Sequence, residues 1–188
     1  MRNAAYDKIS TLEKKLEHFC AQNPGRKAAA QRILEFIRST PNCFERSHTA
    51  GHITGSAWLL NPAGDKVLMT LHRKLKRWLQ PGGHADGESD TLAVALREAE
   101  EESGISGITA VNGDIFDVDV HLIPARPGEA AHYHYDIRYL LRAPHEQFVI
   151  SDESEALEWW SAADFAERRK QTDEAVLRMA DIVPGIKK

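Results

Sequence analysis

The chain has 188 residues, 42% hydrophobic and 28% charged, and its 24 Lys plus Arg against 28 Asp plus Glu leave a formal net charge of −4. This suits one globular domain with an appendage and excludes a two-enzyme fusion. No run nears the roughly 18 apolar residues of a membrane span, Met1 to Lys8 holds no apolar signal core, and Cys20 and Cys43 are too few for a disulfide scaffold or a four-cysteine zinc site, so a cytoplasmic protein without membrane contact is expected.

Ile9, Leu12, Leu16 and Phe19 recur at spacings of three and four with charged residues between them, which predicts a helix that Asn23, Pro24 and Gly25 stop. A second helix is expected from about Arg26 to Ser39, with Ala30, Ile33, Leu34 and Ile37 on one face. The two make an N-terminal helical hairpin over residues 1–44, outside the domain expected at 45–188. Beyond Cys43 the texture changes to short β-forming segments, Ile53 to Leu60 and Lys66 to His72, around the turn signal Asn61 to Asp65.

A Gly-rich loop, Gln80 to Gly87, leads into a helical segment from Asp90 to Ser103, capped by Ser89 or Asp90 and ended by Gly104. Strands are expected at Ile115 to Ile123, His132 to Leu141 and Leu157 to Trp160. Ser161 with Asp164 reads as a capping box, and a last helix starts near Thr172 or Asp173 and stops at Pro184 and Gly185. Strands interrupted by one helix, with helices at both ends, indicate an α/β (α+β) domain built on a mixed sheet rather than a doubly wound one.

On a helix turning about 100° per residue, Glu98, Glu101 and Glu102 share an arc of about 100° beside an apolar stripe expected from Leu92, Ala95, Leu96 and Ala99. Like charges at these spacings cost roughly 0.2 to 0.5 kcal/mol per pair, which a bound cation removes. Hard oxygen donors without cysteine favour Mg²⁺ or Mn²⁺ over zinc, and Mg²⁺ commonly pairs one or two carboxylates with substrate phosphates. Because a protein of net charge −4 repels a diphosphate, local cations or a metal must meet it, and the same balance gives no attraction for nucleic acid.

The segment from Pro81, Gly82 and Gly83 through Arg97, Glu98, Ala99, Glu100, Glu101, Glu102, Ser103, Gly104 and Ile105 resembles the Nudix box, G-x5-E-x7-R-E-U-x-E-E-x-G-U with U apolar. The second half matches at every specified position. The first glutamate of the box falls on Ser89, one residue after Glu88, so either Glu88 substitutes through a shifted loop or that carboxylate is absent. The resemblance covers roughly Gly51 to Phe165. It implies a mixed sheet sandwiched by helices and a divalent-metal-dependent attack of water on a diphosphate linkage, typically in a nucleoside diphosphate derivative. Carried over by position, it implies metal ligation by Glu98, Glu101, Glu102 and the Gly82 carbonyl, with Arg97 orienting the carboxylates as a bidentate partner. An acid from a later loop completes the metal site or serves as general base in some members; Glu153 fits best, with Asp152 and Glu155 as rivals.

Arg73, Lys74, Lys76 and Arg77 cluster before Trp78, and Arg73 and Arg77, with His84 of the loop, are candidates for substrate binding. Period-two alternation puts His132, His134 and Asp136 on one strand face, with Asp117, Asp119 and His121 close if the neighbouring strand pairs; such a ladder could line a pocket or hold a second metal, but a polar solvent-facing surface is expected there and zinc is not read from it. Tyr133, Tyr135, Trp78 and Trp160 either stack a base or serve the core. The hairpin either packs on its own domain, covers the site or pairs two subunits as a homodimer. A catalytically silent nucleotide-sensing module is the alternative to a hydrolase, and a prenyl diphosphate isomerase is disfavoured because both cysteines precede the first core strand.

Overall fold

The Leu12, Leu16 and Phe19 spacing forms α1 (Ala4–Gln22), with all three side chains buried, in a computed structural model that describes residues 4–152 and 154–183. The Asn23 backbone and side-chain amides both donate to the Phe19 carbonyl, at 2.9 and 3.1 Å, which ends the helix. A short 3-10 turn, Pro24–Arg26, reverses the chain into α2 (Lys27–Ser39), which buries Ala30, Ile33, Leu34 and Ile37. Arg38 pairs with Glu13 and Glu17 at 3.0 and 2.6 Å on the hairpin's exposed side, a contribution below about 1 kcal/mol. Apolar burial therefore holds the hairpin.

The strands are β1 (Gly51–Leu60), β2 (Val67–His72), β3 (Arg77–Leu79), β4 (Gly82–His84), β5 (Thr109–Ile123), β6 (His132–Arg142) and β7 (Ser154–Trp160). They form a seven-stranded sheet in the order β3-β2-β1-β6-β5, with β4 paired to β1 and β7 to β2. β1 is buried at every residue, His52, Thr54 and Ser56 included, as befits a strand flanked by others in the sheet. β2 runs antiparallel to β1, β3 and β7. β1 and β6 run parallel: Tyr133 N–H donates to Ala50 O at 3.1 Å and Ala143 N–H to Leu60 O at 2.9 Å, the same offset ten residues apart. The sheet is mixed, as the sequence pattern implied. The three-residue strands β3 and β4 fall in what reads as loop, because three residues carry no period; neighbouring strands supply their order.

Helix α3 spans Thr91–Ser103, α4 Ala162–Glu167 and α5 Glu174–Ile182. At α4 the Asp164 carboxylate accepts from the Ser161 amide at 2.8 Å and its hydroxyl at 2.6 Å. Asp173 caps α5 through Val176 N–H at 2.9 Å, while the expected stop at Pro184 and Gly185 lies outside the described residues. Among the described residues no helix is long and apolar enough to cross a membrane.

The chain divides into two compact units, one of residues 1–55, 83–94 and 113–139, the other of 56–82, 95–112 and 140–188. In the first, Phe36 of α2 stacks on Tyr135 with centroids 3.9 Å apart and Arg32 lies 4.3 Å over the Tyr133 ring, so these tyrosines anchor the hairpin to β6. In the second, Trp58, Trp78, Trp160 and Phe165 are buried, with ring centroids 5.3 Å apart for Trp78 and Trp160 and for Trp160 and Phe165. All four aromatic residues weighed for base stacking are thus engaged with protein neighbours.

Candidate functional site

The buried residues of α3 are Thr91, Val94, Ala95, Ala99, Glu102 and Ser103, whereas Leu92 and Leu96 are partly exposed. The apolar stripe is therefore rotated from the expected Leu92, Ala95, Leu96, Ala99 line toward the acids. Gly55 explains the rotation, since a Cβ there would lie 2.8 Å from Thr91 O and 2.9 Å from Val94, so only glycine lets the start of the helix sit this close to β1. As a result Glu102, at 9% exposure, lies within the buried stripe instead of beside it. Glu98 is 13% exposed at its side chain and Glu101 60%, so the three acids grade from interior to solvent.

Glu102 is held at the sheet by the first residue of β4. Its Oε1 accepts the N–H of Gly82 at 2.8 Å. Gly82 fits because it packs on Ser56, where a Cβ would stand 2.8 Å from the serine Cα. Arg97 Nη1 lies 2.9 Å from Glu98 Oε1 and 3.5 Å from Glu101 Oε2, so one nitrogen reaches both carboxylates. Gly82, Arg97, Glu98, Glu101 and Glu102 thus come together within one unit. Carboxylate oxygens with main-chain groups of a tight loop are the donor chemistry of a hard divalent cation such as Mg²⁺ or Mn²⁺, which the residues present fit.

The Glu88 and Ser89 positions have separate environments. Ser89 is buried, while Glu88 accepts the Asp90 N–H at 2.8 Å and pairs with Lys8 at 2.9 Å. The backbone bond first, and the Lys8 contact second, hold the Glu88 carboxyl below its ordinary range. Glu88 serves as an anionic acceptor just ahead of α3.

The basic cluster before Trp78 is exposed, with Arg73 donating to Ser154 O at 3.0 Å and Arg77 to Thr172 O at 2.9 Å. Among the late acids, Glu153 lies outside the described residues, Asp152 is exposed, and Glu155 is paired with Lys76.

The face of β6 bearing His132, His134 and Asp136 departs from expectation. It is not a solvent-facing surface: His132 is 4% and Asp136 2% exposed. Burial is tolerated because charges compensate. Arg138, 3% exposed, donates to Asp136 at 2.7 Å and Asp117 at 3.2 Å, Arg26 approaches Asp117 at 3.3 Å and Asp119 at 3.1 Å, and Thr54 donates to Asp136 at 2.9 Å. Burial acts against the Arg138 charge, but Asp136, Asp117 and Asp119 together raise its pKa.

Beside this network the pairing of β1 with β6 and β4, and of β6 with β5, brings five histidines together. The His52 ring lies 4.9 Å from His84, 5.0 Å from His132 and 4.9 Å from His134, and His121 lies 5.5 Å from His134. Burial foremost, then the His84 and His132 rings, pushes His52 down to about 4; the His48 backbone opposes this without completing a hydrogen bond to the ring. Burial, then the His84, His52 and His121 rings, pushes His134 down to about 3. His84 is lowered as well, by burial before the charge of Arg46. For His121 burial also acts to lower the pKa, but a hydrogen bond to Asp119 and the Asp136 charge raise it overall. His52 is a residue that sequence reasoning missed; its only signal is that it shares a face with Thr54, two residues on.

A family model described as the NUDIX domain matches residues 52–180. A protein described as a probable DHNTP pyrophosphohydrolase from Lactococcus lactis subsp. cremoris (strain MG1363) is 31% identical over 90 residues, 47% of this chain and 53% of that protein, so the match spans about half the length of this curated relative. A solved hydrolase of the NUDIX family from Clostridium perfringens superimposes with a TM-score of 0.56 at 28% identity, covering 68% of this chain and 92% of the other. The dihydroneopterin triphosphate pyrophosphohydrolase of E. coli does so with a TM-score of 0.52 at 19% identity, covering 70% and 94%, and shares the fold.

Proposed function

The chain belongs to the Nudix family, and on that premise we propose that it is a divalent-metal-dependent pyrophosphohydrolase, acting in the cytoplasm on a diphosphate linkage of a small nucleoside diphosphate derivative by attack of water on phosphorus. The observation that carries this reading is Glu102, a carboxylate inside the buried stripe of α3, fixed by the Gly82 N–H and flanked by Glu98 and Glu101. In this proposal Glu98, Glu101 and Glu102, with the Gly82 carbonyl, hold Mg²⁺ or Mn²⁺. The bound ion supplies the positive charge that screens the diphosphate and polarises its P–O bonds. Arg97, between Glu98 and Glu101, relieves their mutual repulsion and orients both. Glu153 is the proposed acceptor of the proton from the attacking water.

Arg73 and Arg77 are proposed to meet the substrate phosphates. Each guanidinium carries five N–H donors and is tethered to a carbonyl by one nitrogen, which leaves donors for an anion. His84 is the third residue proposed to contact substrate. We also propose that residues 1–44 are an extension of a Nudix domain at 45–188, which the start of the family match at residue 52 supports.

The second reading is a nucleotide-sensing module without turnover. It is favoured by the buried Ser89 at the first glutamate position of the box and by the engagement of Glu88 with Asp90 and Lys8. One experiment separates the two. Product release is followed for nucleoside triphosphates, nucleotide sugars, ADP-ribose, dinucleoside polyphosphates, NADH and dihydroneopterin triphosphate, the last because two relatives carry its name. Wild type and Glu102→Gln are run with and without Mg²⁺. Glutamine keeps an acceptor oxygen for Gly82, so the hydrolase reading expects metal-dependent turnover that drops by orders of magnitude in a folded variant. Tight nucleotide binding without turnover across the panel establishes the sensing module instead.

A further inference from the structure

The histidines of β1 and β6 form a second cluster with metal-ligand chemistry, and it contains no member of the carboxylate set. One ring nitrogen from each of His52, His132 and His134 lies within 4.8 Å of the other two. His132 Nε2 and His134 Nε2 are 3.3 Å apart, a ring-to-ring hydrogen bond in which His134 donates and which a shared ion would replace. For a tetrahedral ion with metal–nitrogen bonds of about 2.0 to 2.1 Å, the edge between two donor nitrogens is about 3.3 Å. This pair therefore already stands at a ligand spacing, and ring rotation brings in His52.

The tautomer of His132 is fixed in the required sense. Its Nδ1 lies 2.9 Å from the Ala130 carbonyl, which only an Nδ1–H can satisfy, so the Nε2 lone pair points into the cluster. A ligating imidazole held by a carbonyl on its far nitrogen is the usual support of a metal-bound histidine. His52 supplies an independent observation: it is 3% exposed, and neither of its ring nitrogens has a hydrogen-bond partner among the described residues. A buried polar group left in this way costs free energy that a ligand bond removes. Glu129 Oε1, 3.7 Å from His132 Nε2, is near enough to fill a fourth position, which otherwise takes water.

We propose that His52, His132 and His134 form a transition-metal site for Zn²⁺, chemically unlike the hard-oxygen set on α3, that ties the start of β1 to the start of β6. Three imidazoles suit zinc, and also Co²⁺ as its spectroscopic substitute, far better than Mg²⁺. The test is a Co²⁺ titration of the metal-free full chain in excess Mg²⁺, read by visible absorption. The expected result is one equivalent with the ligand-field bands of a four-coordinate ion, displaced by one equivalent of Zn²⁺. His132→Ala and His134→Ala, checked for folding by circular dichroism, are expected to bind at least a hundredfold more weakly, whereas Glu98→Gln/Glu102→Gln retains the bands. Absence of bands in folded wild type overturns the proposal, as does their loss in the glutamate variant with retention in the histidine variants. If the histidine variants do not fold, X-ray absorption at the zinc edge of the wild-type complex decides: imidazole outer-shell scattering supports the site, and an oxygen-only shell overturns it.

Discussion

Gly82→Ala tests the link between the loop and the acids of α3. The new Cβ would stand 2.3 Å from Ser56 Oγ, 2.7 Å from its Cβ and 2.8 Å from its Cα. Rotating the serine relieves only the first of these clashes, because the Cα belongs to the buried strand β1. Reaching an ordinary separation of 3.4 Å from that Cα needs a shift of about 0.6 Å. The shift carries the Gly82 N–H away from Glu102, where the present 2.8 Å leaves only about 0.4 Å before a normal hydrogen bond is lost. Overpacking of this kind costs about 1 to 3 kcal/mol. At roughly 2 to 4 °C per kcal/mol for a chain of this size, the melting temperature should fall by about 2 to 12 °C. Displacing a catalytic group by about 1 Å costs on the order of a hundredfold in rate, so kcat should fall about tenfold to a hundredfold. Melting by circular dichroism and turnover of the substrate found in the panel read the two effects. Adding Ser56→Gly should recover part of the melting temperature, since the clashes with the serine side chain vanish while the close approach to the β1 backbone stays. A Gly82→Ala protein that melts and turns over like wild type would refute the coupling of loop and helix.

Arg138→Met removes the buried cation shared by Asp136, Asp117 and Asp119 and should destabilise the protein by about 3 to 5 kcal/mol in urea unfolding at neutral pH; a loss under about 1 kcal/mol would mean that Arg26 and Thr54 suffice. Ser161→Ala removes a hydroxyl donor to Asp164 and should cost about 1 kcal/mol. That bond is the first cause holding the Asp164 carboxyl below its ordinary value, so the difference from wild type should be full above about pH 3.8 and vanish as pH falls through the depressed folded value; a difference that grows on acidification contradicts it. Burial pushes the Cys43 thiol up to about 11, so at pH 8 only about one molecule in a thousand carries the thiolate, and iodoacetamide should label Cys20 first and Cys43 only on unfolding. Equal labelling of both in the folded protein contradicts the burial of Cys43.

The helices and the longer strands were legible because their apolar residues repeat with a period. Leu12, Leu16 and Phe19 announce α1, and the β-forming segment Ile53 to Leu60 announces β1. The box on α3 was legible as a spacing of charged residues. The burial of its acids was not, because a helical wheel ranks faces by hydrophobicity alone and so chose Leu92 and Leu96. The face that meets the sheet is set by where close approach is possible, and that depends on Gly55, some forty residues away in sequence. The histidine cluster was hidden for a related reason. His132 and His134 share a strand face in any reading, but His52 joins them only through the parallel register of β1 on β6, which no local pattern encodes. Long-range pairing also decides which polar faces are wet, and Arg138 with three aspartates keeps this one dry.

The position of Glu102 supports a hydrolase more strongly than the motif by itself. Fold stability alone is served by a small apolar side chain at this place, as at Ala99 and Ala95 one and two turns earlier on the same stripe. A buried carboxylate there carries a desolvation penalty, and the Gly82 N–H at 2.8 Å offsets part of it. Glu98, a turn before it, adds like charge to the same flank, and Arg97 is directed at Glu98 and Glu101. A local choice that opposes the fold, with further acids on the same flank, is what a chemical site imposes on a helix that also has to pack. A cation bound there would turn the conflict into ligation, which is why Glu102→Gln and Mg²⁺ removal belong in the same assay.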